Sequence, residues 1–311
     1  MNILYKYYPS GLNIIDYLTC PTVKLSNVAF FNDPFELKMS RKHAELLANR
    51  VIVASNITDP EFKELYAASY EMLNSFHGIV SLTETHRNML MWSHYADSHK
   101  GFCLGYKTNF LEIIKDKSPL PKDLKVNFNP QRMIYDSKRF DESVLKDIED
   151  PWISICHALT KKSDEWIYEK EHRCILPIIW ADKIKVGKIL SKKTRNRIES
   201  LIKNKELKES KEKDVFYFSD VSAASKYSYE FSRDKDISLL KDINIESIKS
   251  IYLGCKFDAT QINKLKNLVA SNPNKYGHIS LYKYEPNPTE FSLDLNPLSN
   301  DEKDSLKTKM C

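Results

Sequence analysis

The chain has 311 residues, 42% of them hydrophobic and 29% charged, enough for one large domain with a packed core. The 13 prolines outnumber the 7 glycines, and neither GxGxxG nor a Walker-type loop occurs, which excludes a glycine-rich phosphate cradle. The formal net charge of +5 is compatible with a nucleic-acid partner but does not demand one, because strong binders gather their Lys and Arg on one face.

In chain order, Ile3 to Tyr8 reads as an aromatic strand closed by Pro9-Ser10-Gly11, and Asn13 to Leu18 as a short helix stopped by Pro21. A second short strand, Val23 to Leu25, precedes the segment Phe31 to Glu36. Helical patterns follow at 40–50 and 59–75; the second has Asp59 as cap and Pro60 at its first turn. Gly78 to Tyr106 reads as strand, polar turn, short helix and strand, the helix crowded with Trp92, His94 and Tyr95. Asp141 to Thr160 suggests one or two helices. Glu165 to Ile179 begins polar and becomes a continuous apolar run, as an entering buried strand does. The Lys- and Glu-rich stretch 188–214 reads as a solvated helical insertion. Strands at Ile248 to Leu253 and Ile279 to Tyr284 flank a helix from Ala259 to Ala270, and a polar tail covers 296–311. The expectation is a single α+β domain over 1–295.

The six cysteines form no CxxC pair, the opening residues lack an apolar signal core, and no apolar run reaches the ~18 residues of a membrane span. A soluble, cytoplasmic protein with reduced thiols is expected, with no membrane association.

Three clusters carry chemistry. Lys6, between Tyr5 and Tyr7, is either a surface cation over a ring or a donor to a ribose hydroxyl or phosphate. Trp92, His94 and Tyr95 suit a cleft lined for a ring-bearing ligand; the alternative is that Trp92 and Tyr95, at i and i+3, form a core stripe. Glu169 and Glu171, two apart, would share one face of a strand. Their repulsion calls for a cation or sugar hydroxyls between them, unless Arg173 pairs with one. The eight histidines show no metal-binding spacing, and no metal site is assigned.

The motifs LYKY, FNDPFE, LMWSHYADSHKGFCLGY and WIYEKEHR, in this order, resemble the domain of unknown function 2971 family of bacteria. More distantly, the opening strand followed by a helix and a second short strand resembles the first core of ADP-ribosyltransferase-like toxins. That resemblance implies a core of two small mixed or antiparallel sheets flanked by helices, with NAD as substrate. Glu171 falls at the position of the catalytic glutamate, with Glu169 as its substitute, and Tyr95 where a tyrosine stacks on nicotinamide. Lys6 stands where His or Arg holds the NAD ribose, with Tyr7, Asn32, Trp92, His94 and Arg173 as further binding residues. The implied protein is a mono-ADP-ribosyltransferase modifying a protein or nucleic-acid acceptor, a toxin or anti-phage effector restrained by an antitoxin. Two other readings stay open: a non-catalytic nucleic-acid or protein binding module, and a Mg²⁺-dependent nuclease using Asp33, Glu36, Glu169 and Glu171.

Overall fold

The computed structural model describes residues 3–36, 49, 76–111, 128–138, 156–187 and 190–298, which form an α+β architecture. The helices expected at 40–50 and 59–75, and residues 141–155 of the next helical stretch, lie outside the described residues apart from position 49.

Strand β1 (Ile3–Tyr8) leads to α1 (Ile14–Thr19), which Asn13 caps by accepting from the Ile15 N–H at 2.9 Å, and then to β2 (Thr22–Leu25). The central unit is β3 (His77–Thr83), α2 (Met89–Tyr95) and β4 (Phe102–Lys107). Short strands β5 (Gln131–Arg132), β6 (Ile134–Tyr135) and β7 (Lys161–Lys162) come next. A 3₁₀ segment, Asp164–Glu169, feeds β8 (Glu171–Pro177), followed by β9 (Lys183–Val186). Beyond it lie α3 (Lys192–Lys203), β10 (Leu207–Glu209), β11 (Val215–Phe218), α4 (Val221–Ser232) and β12 (Ile237–Asp242). The last elements are β13 (Ile248–Leu253), α5 (Ala259–Ser271), α6 (Pro273–Tyr276), β14 (Ser280–Pro286) and β15 (Leu293–Pro297).

These strands build an eight-stranded sheet in the order β15-β14-β13-β4-β1-β3-β8-β5, a five-stranded sheet β10-β11-β9-β12-β2, and the pair β6-β7. The stretch 188–214 is therefore only partly helical: after α3 it turns into β10, which joins the smaller sheet. The polar tail expected from 296 also begins inside an element, because β15 reaches Pro297 and pairs with β14.

The two-residue period of the strands sorts the large sheet into two faces. Leu4 and Tyr8 of β1, Val80 and Leu82 of β3, and Leu104 and Tyr106 of β4 enter the main core, together with Ile184 and Leu239 of the smaller sheet. The hydroxyls of Tyr8, Tyr17 and Tyr106 meet inside that core at 2.6 to 3.3 Å, so α1 is pinned to the sheet by buried polar groups that satisfy one another. The two sheets are joined by an isolated antiparallel backbone bridge between Ser26, just after β2, and Ile79 of β3. Beside this bridge a Cβ on Gly78 would stand 2.6 Å from the Leu25 Cβ, so only glycine permits so close a crossing.

On the opposite face, α2 packs over β1 and β4 and stops abruptly. Asp97, Ser98 and His99 have φ of 49°, 53° and 71°, three successive left-handed residues without a glycine among them. Gly101 then closes the turn with its N–H on the Ala96 carbonyl at 2.8 Å, where a Cβ would strike the Tyr8 carbonyl oxygen at 2.0 Å. The sharp turn keeps α2 short and holds Tyr95 at its end.

Gly78→Ala should lower unfolding stability by about 1–3 kcal/mol through overpacking against Leu25. Urea titration of the variant beside wild type measures it.

Candidate functional site

Strands β1 and β4 are in register over six residue pairs, from Ile3 opposite Lys107 to Tyr8 opposite Phe102. Strands β1 and β3, by contrast, share a single register pair, Tyr5 opposite Thr83. Past that pair the two central strands part, and a cavity of about 350 Å³ opens between and above them. Tyr5, Lys6 and Tyr7 line one side, Ser81, Leu82 and Thr83 the other. Where the ladder fails, the Lys6 amine spans the gap and donates to the Ser81 carbonyl at 2.9 Å.

The far wall carries the charge. Strand β8 places Glu171 and Arg173 on one face, directly across from Thr83 and Ser81. Arg173 grips Glu171 with two hydrogen bonds, Nε to Oε1 at 2.8 Å and Nη2 to Oε2 at 3.0 Å. The same guanidinium reaches Glu36 at 2.9 Å and lies over the Phe31 ring at 5.0 Å. Glu169 does not share the strand with Glu171, as its spacing suggested, but ends the 3₁₀ segment. Lys170, left-handed at φ 45°, reverses the chain between them, and this kink brings both carboxylates to a common cation.

That cation is Lys162, from β7. Its ammonium lies 2.7 Å from Glu169, 3.3 Å from Glu171 and 3.0 Å from Glu36. The Glu36 contact is close but not angled as a hydrogen bond. All five charged side chains of this network are almost fully buried. The Tyr95 hydroxyl, at the end of α2, adds a short hydrogen bond to Glu169 Oε1 and is approached by Asn32 Nδ2 at 3.4 Å. Asn88, the cap of α2, donates to the Tyr168 carbonyl at 2.7 Å, tying that helix to the 3₁₀ segment.

Burial works against every one of these ions, and the neighbouring charges decide the outcome. For Glu171, burial raises the pKa, but Arg173 and then Lys162 outweigh it and hold the carboxyl down at about 2. Burial dominates at Glu36, whose pKa stays raised despite Arg173 and Lys162. Lys162 and Arg173 are both held above their ordinary values, because the carboxylates outweigh the loss of solvation. Burial pushes the Tyr95 phenol up, and acceptance of its proton by Glu169 pushes it further. Lys6 differs from the other two cations: burial lowers its pKa to about 8, the Glu171 charge only partly offsetting this while Lys24 adds to it.

Lys6, Tyr7, Asn32, Tyr95, Glu169, Glu171 and Arg173 thus all line one cavity. Trp92 and His94 are absent from the described lining. Trp92 is fully buried in an adjoining cluster that includes Tyr7, its indole N–H on the His86 carbonyl at 2.8 Å and its ring edge-on to Tyr7, so the core-stripe alternative describes Trp92 but not Tyr95. His94 is exposed beside the rings of Tyr95 and Tyr168. Lys162 escaped sequence reasoning altogether, and Glu36 entered it only as a metal ligand. The available signal was the Lys161-Lys162 pair, Lys162 standing nine residues before the acidic strand start at Glu171; its link to Glu36 follows no sequence spacing. Among the described residues no group of three or more His, Cys, Asp or Glu side chains is placed to hold a metal ion, and no helix is long and apolar enough to cross a membrane.

Residues 91–174 match the model of a family described as "Protein of unknown function (DUF2971)", which bears out the family resemblance carried by the motifs. No curated protein and no solved structure matches the chain. The matched segment includes Tyr95, Lys162, Glu169, Glu171 and Arg173 and leaves Lys6, Asn32 and Glu36 outside it.

Replacing Lys162 by Met removes the cation shared by three buried carboxylates and should cost about 3–5 kcal/mol of stability, as breaking a buried ion pair does. Chemical denaturation of Lys162→Met and Lys162→Arg reads this, the arginine variant being the less affected.

Lys6 has its own signature in alkali. Its folded pKa lies below the unfolded value, so from about 8 upward the folded state has released a proton that the unfolded state still holds. Lys6 by itself should therefore make stability rise with pH above about 8, against the fall contributed by the buried Cys103 and Cys174 thiols, whose pKa values burial raises, and near 10 by the tyrosines. Lys6→Met should remove that contribution, so that denaturation midpoints of the variant fall more steeply than those of wild type above about pH 8.

Proposed function

We propose that the protein is a mono-ADP-ribosyltransferase-like enzyme that takes NAD as its substrate. The supporting observation is that Lys6, Tyr95 and Glu171, which are remote in sequence and come from three different elements, line a single cavity where two central strands separate. The cavity's volume, near the lower end of the roughly 300–1,000 Å³ typical of small-molecule sites, suits one nucleoside-sized portion of the dinucleotide.

Charge selects which portion. Among the described lining residues, the cations Lys6, Lys162 and Arg173 face the carboxylates Glu36, Glu169 and Glu171, so the charges cancel three against three. A pyrophosphate would find one cation outside the ion-pair network, Lys6, and three carboxylates facing it. A cationic nicotinamide ring bearing its ribose fits better, against the rings of Tyr5, Tyr7 and Tyr95. The rest of the dinucleotide would leave past Phe30, a lining residue that is 47% exposed.

In the reaction, the bond from the ribose C1′ to the nicotinamide nitrogen breaks, and nicotinamide leaves with the electron pair. Positive charge develops on C1′ and the ring oxygen. Glu171, kept ionised by Arg173 and Lys162, supplies a fixed negative charge to that centre without having to reorganise. An acceptor heteroatom then bonds to C1′ and gives up a proton, for which Glu169, on the same cavity wall, is a base. The acceptor is a protein or nucleic-acid group, and the biological role is that of a toxin or anti-phage effector restrained by an antitoxin.

Purified protein given NAD labelled in its nicotinamide, with protein and nucleic-acid acceptors, should release free nicotinamide. Glu171→Gln, checked for folding by circular dichroism, should release it about 10²–10³-fold more slowly, the loss typical of a removed transition-state stabiliser. No release by wild type, or equal release by the variant, would rule the transferase out.

A further inference from the structure

The face of the large sheet that carries the cavity continues across β4, β13 and β14, and the strand registers lay out its rows. Tyr7, Cys103, Tyr252 and Tyr282 stand side by side in one row, and Tyr5, Gly105, Ser250 and Ser280 in the next. In the first row the Tyr252 and Tyr282 rings stack at 5.1 Å and 12°, and His86 stacks on the other side of Tyr252 at 3.8 Å and 14°. Tyr5 meets both His86 and Tyr252 edge-on, at 4.9 and 5.8 Å, and itself lines the cavity. Tyr252 is buried within this array, whereas Tyr5, His86 and Tyr282 are partly exposed.

Beyond Gly105 and Ser250 of the second row lies an open cavity of about 690 Å³ bordered by Lys107, Lys249, His278, Thr108, Asn109 and Ser280. None of its described lining residues is acidic. Lys107 and Lys249 come from neighbouring strands and border the same cavity. Burial first, and then the Lys107 charge, lower the pKa of Lys249, with Glu246 offsetting part of this. Like charges held side by side destabilise a sheet unless an anion sits between them. Lys283, on β14, is already paired with Glu285 at 3.4 Å.

We infer that this face binds single-stranded nucleic acid, its bases packing on the partly exposed rings of Tyr282, His86 and Tyr5 and a phosphate held between Lys107 and Lys249. Stacked rings near a basic cavity with no acidic residue in its described lining are what a sequence-tolerant single-strand binder requires: every base has a flat face, and every nucleotide has a phosphate. The rings lead from Tyr282 through Tyr252 and His86 to Tyr5, so a base at the end of the strand would arrive at Glu171. This last step rests on the transferase reading and makes a nucleic-acid base its acceptor; the binding itself does not depend on it.

Labelled oligo(dT) and oligo(U), titrated into the full chain without NAD at several salt concentrations, test the binding. Wild type should bind, with affinity falling as salt rises. Lys107→Gln/Lys249→Gln should flatten the salt slope by roughly 0.7 per lysine. Tyr282→Ala should weaken binding roughly 5- to 150-fold, as loss of one stacking ring does. Glu171→Gln should bind as wild type does, so a failed transferase assay leaves this result standing. No binding at low salt would overturn the inference. So would equal binding by all the variants, or loss only in Lys192→Gln/Lys193→Gln on α3, which would place the contact on the lysine-rich helix.

Discussion

Two cations held among three carboxylates, all out of reach of bulk water, are the constraint around which the site is arranged. Each ion alone would be costly to bury; together Lys162 and Arg173 neutralise most of the charge of Glu36, Glu169 and Glu171. The geometry tolerates little displacement, because Lys162 must reach three carboxylates and Arg173 two. The segment that carries Glu36, the short strand β7, the 3₁₀ segment and β8 are consequently locked to one another. Tyr95 and Asn88 extend the lock to α2.

The cavity exists because one pairing is incomplete. Had β1 and β3 stayed in register beyond Tyr5 and Thr83, their side chains would have packed and closed the space. Instead Lys6 reaches across with a single hydrogen bond, which leaves its amine less well compensated than the other two cations. The contrast is chemical. Lys162 and Arg173 are structural ions with raised pKa values, whereas Lys6 is a buried amine that titrates near 8.

The large sheet uses its two faces differently. One is closed by aliphatic side chains against the smaller sheet and the helices, with the Tyr8–Tyr17–Tyr106 hydroxyls as its only three-membered tyrosine knot among the described residues. The other holds α2, the cavity and the row of rings out to Tyr282. Polar aromatics suit that second face because a tyrosine ring can pack on a sheet while its hydroxyl meets water or a partner.

Much of this was readable from local pattern. The alternating Leu4, Lys6 and Tyr8, the cap at Asn13, the apolar run of Ile248 to Leu253 and the polar-to-apolar change at Glu171 each mark an element, because strand and helix periods are properties of a few consecutive residues. The motif residues Lys6, Tyr95, Glu169, Glu171 and Arg173 stood out for the same reason. Spacing alone could not separate Trp92, which went into the core, from Tyr95, which went to the cavity: a helix of seven residues has both sides, and its packing partners choose between them. Nor could it find Lys162, or show that Lys170 would turn left-handed and break the expected strand between the two glutamates. Ion pairing across long loops has no period. Which carboxylate meets which cation is decided only when the sheet assembles and water is driven out from between them.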